Sequence, residues 1–217
     1  MIPCLYITYN RIDYTKQTLP ELINSDCDKI IIIDNHSTDG TAEYLEEIDH
    51  PKIQVIFKEE NTGIAGAMNI FLQLTKGYEF VSKIDNDTIV PKNWCNELLR
   101  KLIACDLDIL QAKHNLDPAV TKGLTFDEWM RTMRQDEKDK SVYYHHFVGG
   151  SGIVFRRNKI DILPETEWLL YSWRQYQREH PELRTAFTTD VKVKLLDGGG
   201  DYSKYPNYYI ETKRLIC

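Results

Sequence analysis

The sequence predicts an α/β domain in which a mostly parallel central sheet is flanked by helices. Short apolar runs alternate with helix-like segments through the first half of the chain, the order expected of a parallel sheet with right-handed crossovers. Four consecutive isoleucines at 30–33 fit a strand buried on both faces, which is typical of a central parallel strand. Polar clusters follow several of these runs, and open α/β sheets build their sites at such strand ends.

Each element follows from its local pattern. Strands are predicted over 2–8, 30–33, 53–57, 78–84, 108–112 and 153–155, and helices over 13–24, 41–48, 64–75, 168–180 and 190–196. Asp13 is the expected N-cap of the first helix, and Thr188 or Thr189 that of the last. Pro91 opens a further helix whose inward residues are Leu98, Leu99, Leu102 and Ile103. The charged segment 125–140 is predicted to be an exposed helix, either a solvated face or a lid. The first half is therefore Rossmann-like.

Composition limits the classes of function. At 217 residues, with no internal repeat or linker, the chain is expected to be a single domain over 1–217. A net charge of −6 argues against nucleic-acid binding. Five scattered cysteines without a C-x-x-C pair favour reduced thiols in a cytoplasmic protein over a disulfide scaffold or a zinc site. The start has no leader pattern and no run of about 18 apolar residues occurs, so no transmembrane segment is expected.

The acidic pair Asp85 and Asp87, separated by Asn86, is the most informative motif. It directly follows an apolar strand, so both carboxylates are expected at the strand's carboxyl end. Paired carboxylates suit a hard divalent cation that keeps positions open for phosphate oxygens. An ordinary surface turn has the same composition, and the other motifs distinguish the two interpretations.

Three further segments have both a ligand-binding and a plain interpretation. The residues Thr8-Tyr9-Asn10-Arg11 suit a nucleotide cradle or a polar loop with a helix cap. Asp34 and Asn35 end the second strand and can read a base edge or a ribose hydroxyl, while the residues after them form a turn. The small residues within 61–69 permit close approach of a nucleotide or of a neighbouring strand, but they match no phosphate-binding loop.

These four segments, in this order, resemble the nucleotide-sugar-dependent glycosyltransferases of the GT-A fold, specifically the large family 2. The resemblance covers roughly the first 110 residues, and the segment 149–157 is similar to the acceptor side of that family's site. It implies a nucleotide-sugar-binding half at 1–112 and an acceptor-side half at 113–217. It also implies Mn²⁺ or Mg²⁺ as the cofactor.

The resemblance assigns expected roles to individual residues. The nucleotide-binding residues would be Thr8, Tyr9, Asn10, Arg11, Asp34, Asn35, Ala65, Gly66, Asn69, Asp85 and Asn86. Asp87 would bind the metal, Asp85 the metal or its water, and Gly149, Gly150 and Ser151 would lie on the acceptor side. Asp190 would be the catalytic base at the start of a late helix, although Thr189 stands where the family has Glu. The plain interpretation of Asp190 is a helix-terminal charge.

The expected activity is transfer of a sugar from a UDP- or dTDP-linked donor to a glycan hydroxyl, with inversion. A retaining transferase, a sugar-phosphate nucleotidyltransferase and an inactive binding module remain as alternatives. If Asp190 is not the base, Asp161, Glu165 and Glu167 are the next candidates. Trp168 and Trp173 suit sugar stacking or core packing, and His145 and His146 are weak candidates for metal ligation. The chain could also be part of a longer protein.

Overall fold

The computed structural model describes residues 1–114, 123–146, 148–164 and 173–197. Eleven strands lie in these ranges: β1 Pro3–Thr8, β2 Lys29–Asp34, β3 Ile53–Phe57, β4 Phe80–Asp85, β5 Thr88–Ile89, β6 Ile109–Lys113, β7 Arg134–Gln135, β8 Val142–Tyr144, β9 Ile153–Arg156, β10 Thr185–Lys192 and β11 Lys194–Leu195. The helices there are α1 Ile12–Ile23, α2 Thr41–Glu46, α3 Gly63–Leu74, α4 Trp94–Ala104, α5 Phe126–Arg131 and α6 Trp173–Glu179, with a 3₁₀ turn at Arg157–Lys159.

The strands form one mixed, mostly parallel sheet in the order β3-β2-β1-β4-β9-β6-β10-β8-β7, and β11 pairs separately with β5. Strands β3, β2, β1 and β4 are mutually parallel, and β10 is parallel to β6. Strand β9 runs antiparallel between β4 and β6. The predicted fold class is therefore confirmed. The chain leaves β1 toward β2 on one side and reaches β4 on the other, so the loops after β1 and β4 flank a topological switch point.

The predicted isoleucine strand lies at the centre of the fold. Ile30 and Ile32 pack in one apolar cluster with Leu19 and Leu22 of α1. Ile31 and Ile33 point to the other face of the sheet and pack in a second apolar cluster with residues of α3. All four isoleucines of β2 are almost completely buried, as expected for a parallel strand covered on both faces. This rigid layer positions the strand ends where the polar motifs lie.

Four local predictions are wrong. The segment 190–196 is not a helix: residues 190–192 end β10, which pairs with β6, and Lys194–Leu195 form β11, which pairs with β5. Asp13 is not an N-cap, since α1 begins at Ile12 and the N–H of Ile12 bonds to Asp39 Oδ2 instead. Ile103 on α4 is half exposed. Segment 125–140 contains the short helix α5 and strand β7 rather than one exposed helix.

Helix α4 begins at Trp94, three residues after Pro91, because the Trp94 N–H first closes a turn with the Pro91 carbonyl. Helix α6 begins at Trp173, and residues 168–172 of the predicted helix lie outside the described residues. Within the described ranges, no helix combines the length and the apolar character needed to cross a membrane.

Gly66 is required by the packing of the first turn of α3. A Cβ added at Gly66 would lie 2.0 Å from Thr62 Oγ1 and 2.5 Å from Thr62 Cβ, so rotating the threonine side chain does not relieve the clash. We expect Gly66→Ala to destabilise the fold by about 1–3 kcal/mol despite the higher helix propensity of alanine. Thermal denaturation should show a lower Tm, by about 2–4 °C per kcal/mol.

Gly77→Ala is the matched control for this prediction. No atom lies within 4 Å of a Cβ added at Gly77, which is exposed and has no positive φ. Its Tm should stay at or slightly above that of the wild type. Equal Tm values for the two variants would contradict the packing argument.

Candidate active site

The side chain of Arg11 lies at the centre of the polar strand ends. Arg11 precedes α1 in a left-handed conformation, with φ 62°, which is uncommon for a residue other than glycine. Its buried guanidinium donates to Asn86 Oδ1 at 2.6 Å. The Nη1 atom of the same group lies 3.3 Å from Asp87 Oδ2 and 3.1 Å from Asp197 Oδ2. Three distant parts of the chain therefore meet at one cation.

Asn86, the middle residue of the acidic motif, is buried and holds the neighbouring chain segments together by hydrogen bonds. Its Nδ2 atom donates to Thr8 Oγ1 at 3.1 Å and to the Asn10 carbonyl at 3.0 Å, and its own carbonyl accepts from Thr18 Oγ1 at 2.9 Å. Thr8 is buried as well. The structure thus places Thr8 and Asn86, both predicted to bind nucleotide, beneath the loops that surround the site.

The two acids of the motif are each held by a cation. Asp85 Oδ1 lies 2.5 Å from Lys83 Nζ, and Asp87 lies against Arg11. Burial raises the pKa of Asp87, Arg11 lowers it, and the charges of Asp85 and Asp197 raise it further, for a net increase. The carboxylates of Asp85, Asp87 and Asp197 thus face only two cations, Lys83 and Arg11. This leaves an excess of negative charge at this edge of the sheet.

The end of β2 offers a buried hydrogen-bond acceptor. Asn35 Nδ2 donates to the Gly63 carbonyl at 3.1 Å, which fixes the orientation of the amide and leaves its buried Oδ1 without a partner among the described residues. Asp34, by contrast, accepts bonds from both the backbone N–H and the hydroxyl of Ser37. Burial raises the pKa of Asp34 above its ordinary value. Tyr9, at the end of the adjacent β1, is only partly buried.

Helix α3 contributes less to the site than its motif predicts. Asn69 is buried, its Nδ2 donates to the Leu163 carbonyl at 2.9 Å, and its Oδ1 accepts from the Leu163 N–H at 2.8 Å. Ala65 packs in the apolar cluster, and Gly66 lies against Thr62. Asn69, Ala65 and Gly66 therefore pack α3 against Leu163, the apolar cluster and Thr62.

The segment Gly149-Gly150-Ser151, expected on the acceptor side, lies beside the acidic turn. Ser151 Oγ accepts the Asp85 N–H at 3.0 Å and lies 2.8 Å from Thr88 Oγ1. The Gly150 carbonyl accepts from Lys83 at 2.5 Å. Sequence reasoning did not identify Lys83 or Asp197 as site residues. The signal for Lys83 was its position two residues before Asp85, hence on the same face of the strand.

Asp190 is not brought to the acidic turn. Strand β10 is separated from β4 by β9 and β6, so three strand spacings, about 14 Å, lie between them. The Asp190 carboxylate bonds to Lys101 Nζ at 2.7 Å, and this hydrogen bond lowers its pKa. A base with a depressed pKa is a weaker proton acceptor. The helix start that suggested Asp190 as the catalytic base is also absent, because Asp190 lies in β10.

The structure describes four of the remaining aromatic, histidine and acidic candidates, which are Trp173, His145, His146 and Asp161. Trp173 is buried and packs against Phe155 and Tyr176, in agreement with the core interpretation. The rings of His145 and His146 contact each other, and His145 packs within an aromatic cluster. The Asp161 N–H bonds to Tyr176 Oη at 2.9 Å. Trp168, Glu165 and Glu167 lie outside the described residues.

Known structures share this fold. Over 100% of this chain and 64% of the other, the fold matches the crystal structure of S. aureus TarS 1–349 in complex with UDP, with a TM-score of 0.64 and 19% sequence identity. The mannosyltransferase PcManGT from Pyrobaculum calidifontis, in complex with GDP-Man and Mn²⁺, matches with a TM-score of 0.70 and 17% identity. That match covers 94% of this chain and 59% of the other. At these identities the likeness concerns the fold.

Sequence comparison agrees with the structural likeness. A protein of Haemophilus influenzae, described as an uncharacterized glycosyltransferase, is 27% identical over 170 residues. The match covers 73% of this chain and 52% of the relative, so the chain spans about half the relative's length. The sequence profile of Glycosyl transferase family 2 matches residues 5–163, which is most of the chain. The chain therefore belongs to Glycosyl transferase family 2 and has the GT-A fold.

Proposed function

We propose that this glycosyltransferase moves a sugar from a UDP- or dTDP-linked donor to a hydroxyl of a glycan, with the help of a divalent metal. The observation that carries the proposal is the cluster of Asp87 and Asp197 against Arg11, with Asp85 beside it on Lys83, at the switch point between β1 and β4. A nucleoside diphosphate and a divalent cation are the ligands that such an edge accommodates. Family membership favours glycosyl transfer over the nucleotidyltransferase alternative.

The acidic cluster fits Mn²⁺ or Mg²⁺ by its donor atoms and its charge. Asp87 and Asp197 each place a carboxylate oxygen within 3.3 Å of the same Arg11 nitrogen, so the two oxygens lie close together. Among the described residues no three acids converge at metal-binding distance as the side chains stand; Lys83 binds Asp85, and Arg11 binds Asp87 and Asp197. Asp87 would hold the ion after a small movement of Arg11. The metal would supply charge neutralisation of the leaving diphosphate.

The free acceptor on Asn35 supports a uracil or thymine base. Both bases carry a ring N–H flanked by carbonyl groups, and this N–H can donate to Asn35 Oδ1. Filling a buried, unpaired acceptor contributes about 1–3 kcal/mol to binding. The partly exposed ring of Tyr9 offers a stacking face at the end of the neighbouring strand.

Asp87→Asn should abolish the metal-dependent part of nucleotide binding. Asparagine keeps an oxygen that can accept from Arg11, so the fold is expected to persist while the anionic ligand is lost. In thermal denaturation, UDP with Mn²⁺ at 100 times its Kd should stabilise the wild type by about 2.7 kcal/mol. In the variant, Mn²⁺ should add nothing to the effect of UDP. Asp190→Asn is the control and should keep the full increment; a normal increment in Asp87→Asn would refute the metal assignment.

Uridine and thymidine diphosphates should bind more tightly than guanosine or adenosine diphosphate. Calorimetry on Asn35→Leu should show a loss of about tenfold in UDP affinity, because the acceptor oxygen is gone. Asn35→Asp keeps an acceptor oxygen and should keep the preference for uracil. A wild-type preference for GDP would instead indicate a guanine-linked donor.

Asp190→Asn should leave turnover of the donor within about threefold of the wild type, whereas loss of a general base costs about 10²–10⁴. The reason is the distance of β10 from β4 and the ion pair with Lys101. The measurement is release of UDP from the nucleotide sugar that stabilises the protein best. A fall of 10² or more would restore Asp190 as the base. Direct attack by the acceptor hydroxyl would invert the anomeric configuration, which NMR of the product tests separately.

A further inference from the structure

Lys83 is a completely buried lysine in the strand that leads to the acidic turn. Its side chain is on the same face of β4 as Asp85, and a buried ammonium requires hydrogen-bond acceptors. Two acceptors meet it, Asp85 Oδ1 and the Gly150 carbonyl, each at 2.5 Å. An apolar residue would fill this position without needing either contact. The contacts therefore point to a function beyond packing.

The glycine segment that Lys83 reaches is held by other buried polar side chains. Gln177 bonds both the N–H and the carbonyl of Val148. Gln111 accepts the Gly149 N–H at 2.7 Å and donates to the Ser151 carbonyl at 2.9 Å. A Cβ added at Gly149 would lie only 2.7 Å from Gln111 Nε2, so a side chain there would displace the glutamine amide that holds the segment. These hydrogen bonds fix the backbone of residues 148–151 on the side that faces Gln111 and Gln177.

Two bridges join this rigid segment to the acidic turn. Ser151 Oγ accepts the backbone N–H of Asp85, and Lys83 bonds the Asp85 carboxylate and the Gly150 carbonyl together. The backbone and the carboxylate of Asp85 are thus both fixed relative to the segment. The ammonium also neutralises Asp85, and a positive charge beside this carboxylate weakens its attraction for a divalent cation.

We propose that Lys83 is a positioning residue that fastens Asp85 to the glycine segment and acts as its permanent counter-ion. Asp85 is thereby withheld from direct metal ligation, and Asp87 remains the principal carboxylate for the ion. The assignment of the metal to this edge rests on the proposed function. The mechanical link between Lys83, Asp85 and Gly150 does not.

Metal binding to the free protein tests the counter-ion role. Lys83→Met and Lys83→Gln both remove the charge, and glutamine keeps a hydrogen-bond donor if the methionine variant fails to fold. Titration with Mn²⁺, followed by electron paramagnetic resonance, should show about tenfold tighter binding in both variants. Lys83→Met combined with Asp85→Asn should return the affinity toward that of the wild type. A lysine that only packs would not tighten Mn²⁺ binding.

The matched control is Lys101→Met. Lys101 is also a buried lysine in an ion-paired network, with Asp139 and Asp190, but it lies away from the acidic turn. Its loss should leave Mn²⁺ affinity unchanged.

Hydrogen exchange tests the mechanical link without any metal. Amides within 85–88 and 148–152 should exchange about tenfold faster in Lys83→Met than in the wild type, and at the wild-type rate in Lys101→Met. Faster exchange with no Mn²⁺ binding in any protein would support the link and overturn the proposed metal site. Unchanged exchange in both Lys83 variants, or Mn²⁺ affinity that stays equal or weakens in both, would overturn the inference.

Discussion

The buried guanidinium of Arg11 is the interaction on which the site depends. It bonds to Asn86 and Asp87 after β4 and to Asp197 after β11, while Arg11 itself lies between β1 and α1. Removing a guanidinium from water is costly unless its donors find acceptors, so these chain segments must come together for the fold to close. The same requirement holds the left-handed backbone at Arg11, a strained conformation of the kind that proteins retain at functional sites.

The charges around Arg11 are arranged before any ligand arrives. Lys83 pairs with Asp85 and Arg11 pairs with Asp87, in surroundings where burial strengthens electrostatic interactions. The remaining excess of negative charge is small, so the proposed divalent cation and diphosphate would be accommodated together more easily than either alone. Such preorganised charge is the usual means by which a protein stabilises a developing anion.

The direction of β9 brings the second half of the chain to the site. Because β9 runs antiparallel to β4 and β6, its amino end lies at their carboxyl ends. The residues that precede β9, Gly149 to Ser151, are therefore delivered next to Asp85. Strand β10 runs parallel to β6 and lies beyond it, so Asp190 is displaced sideways from the acidic turn and bonds to Lys101. Lateral position in the sheet thus separates the glycine segment, which lies beside Asp85, from Asp190.

Local pattern by itself determined the fold class, the buried strand Ile30–Ile33 and the acidic turn at Asp85–Asp87. These features depend on burial and on backbone preferences that neighbouring residues encode. The partners of Lys83 and Arg11, the supporting role of Asn86 and the extended state of the chain at Asp190 were decided only by the tertiary structure. Each depends on strand pairing or on a buried charge finding its acceptor far along the sequence, and short-range periodicity contains no information about such contacts.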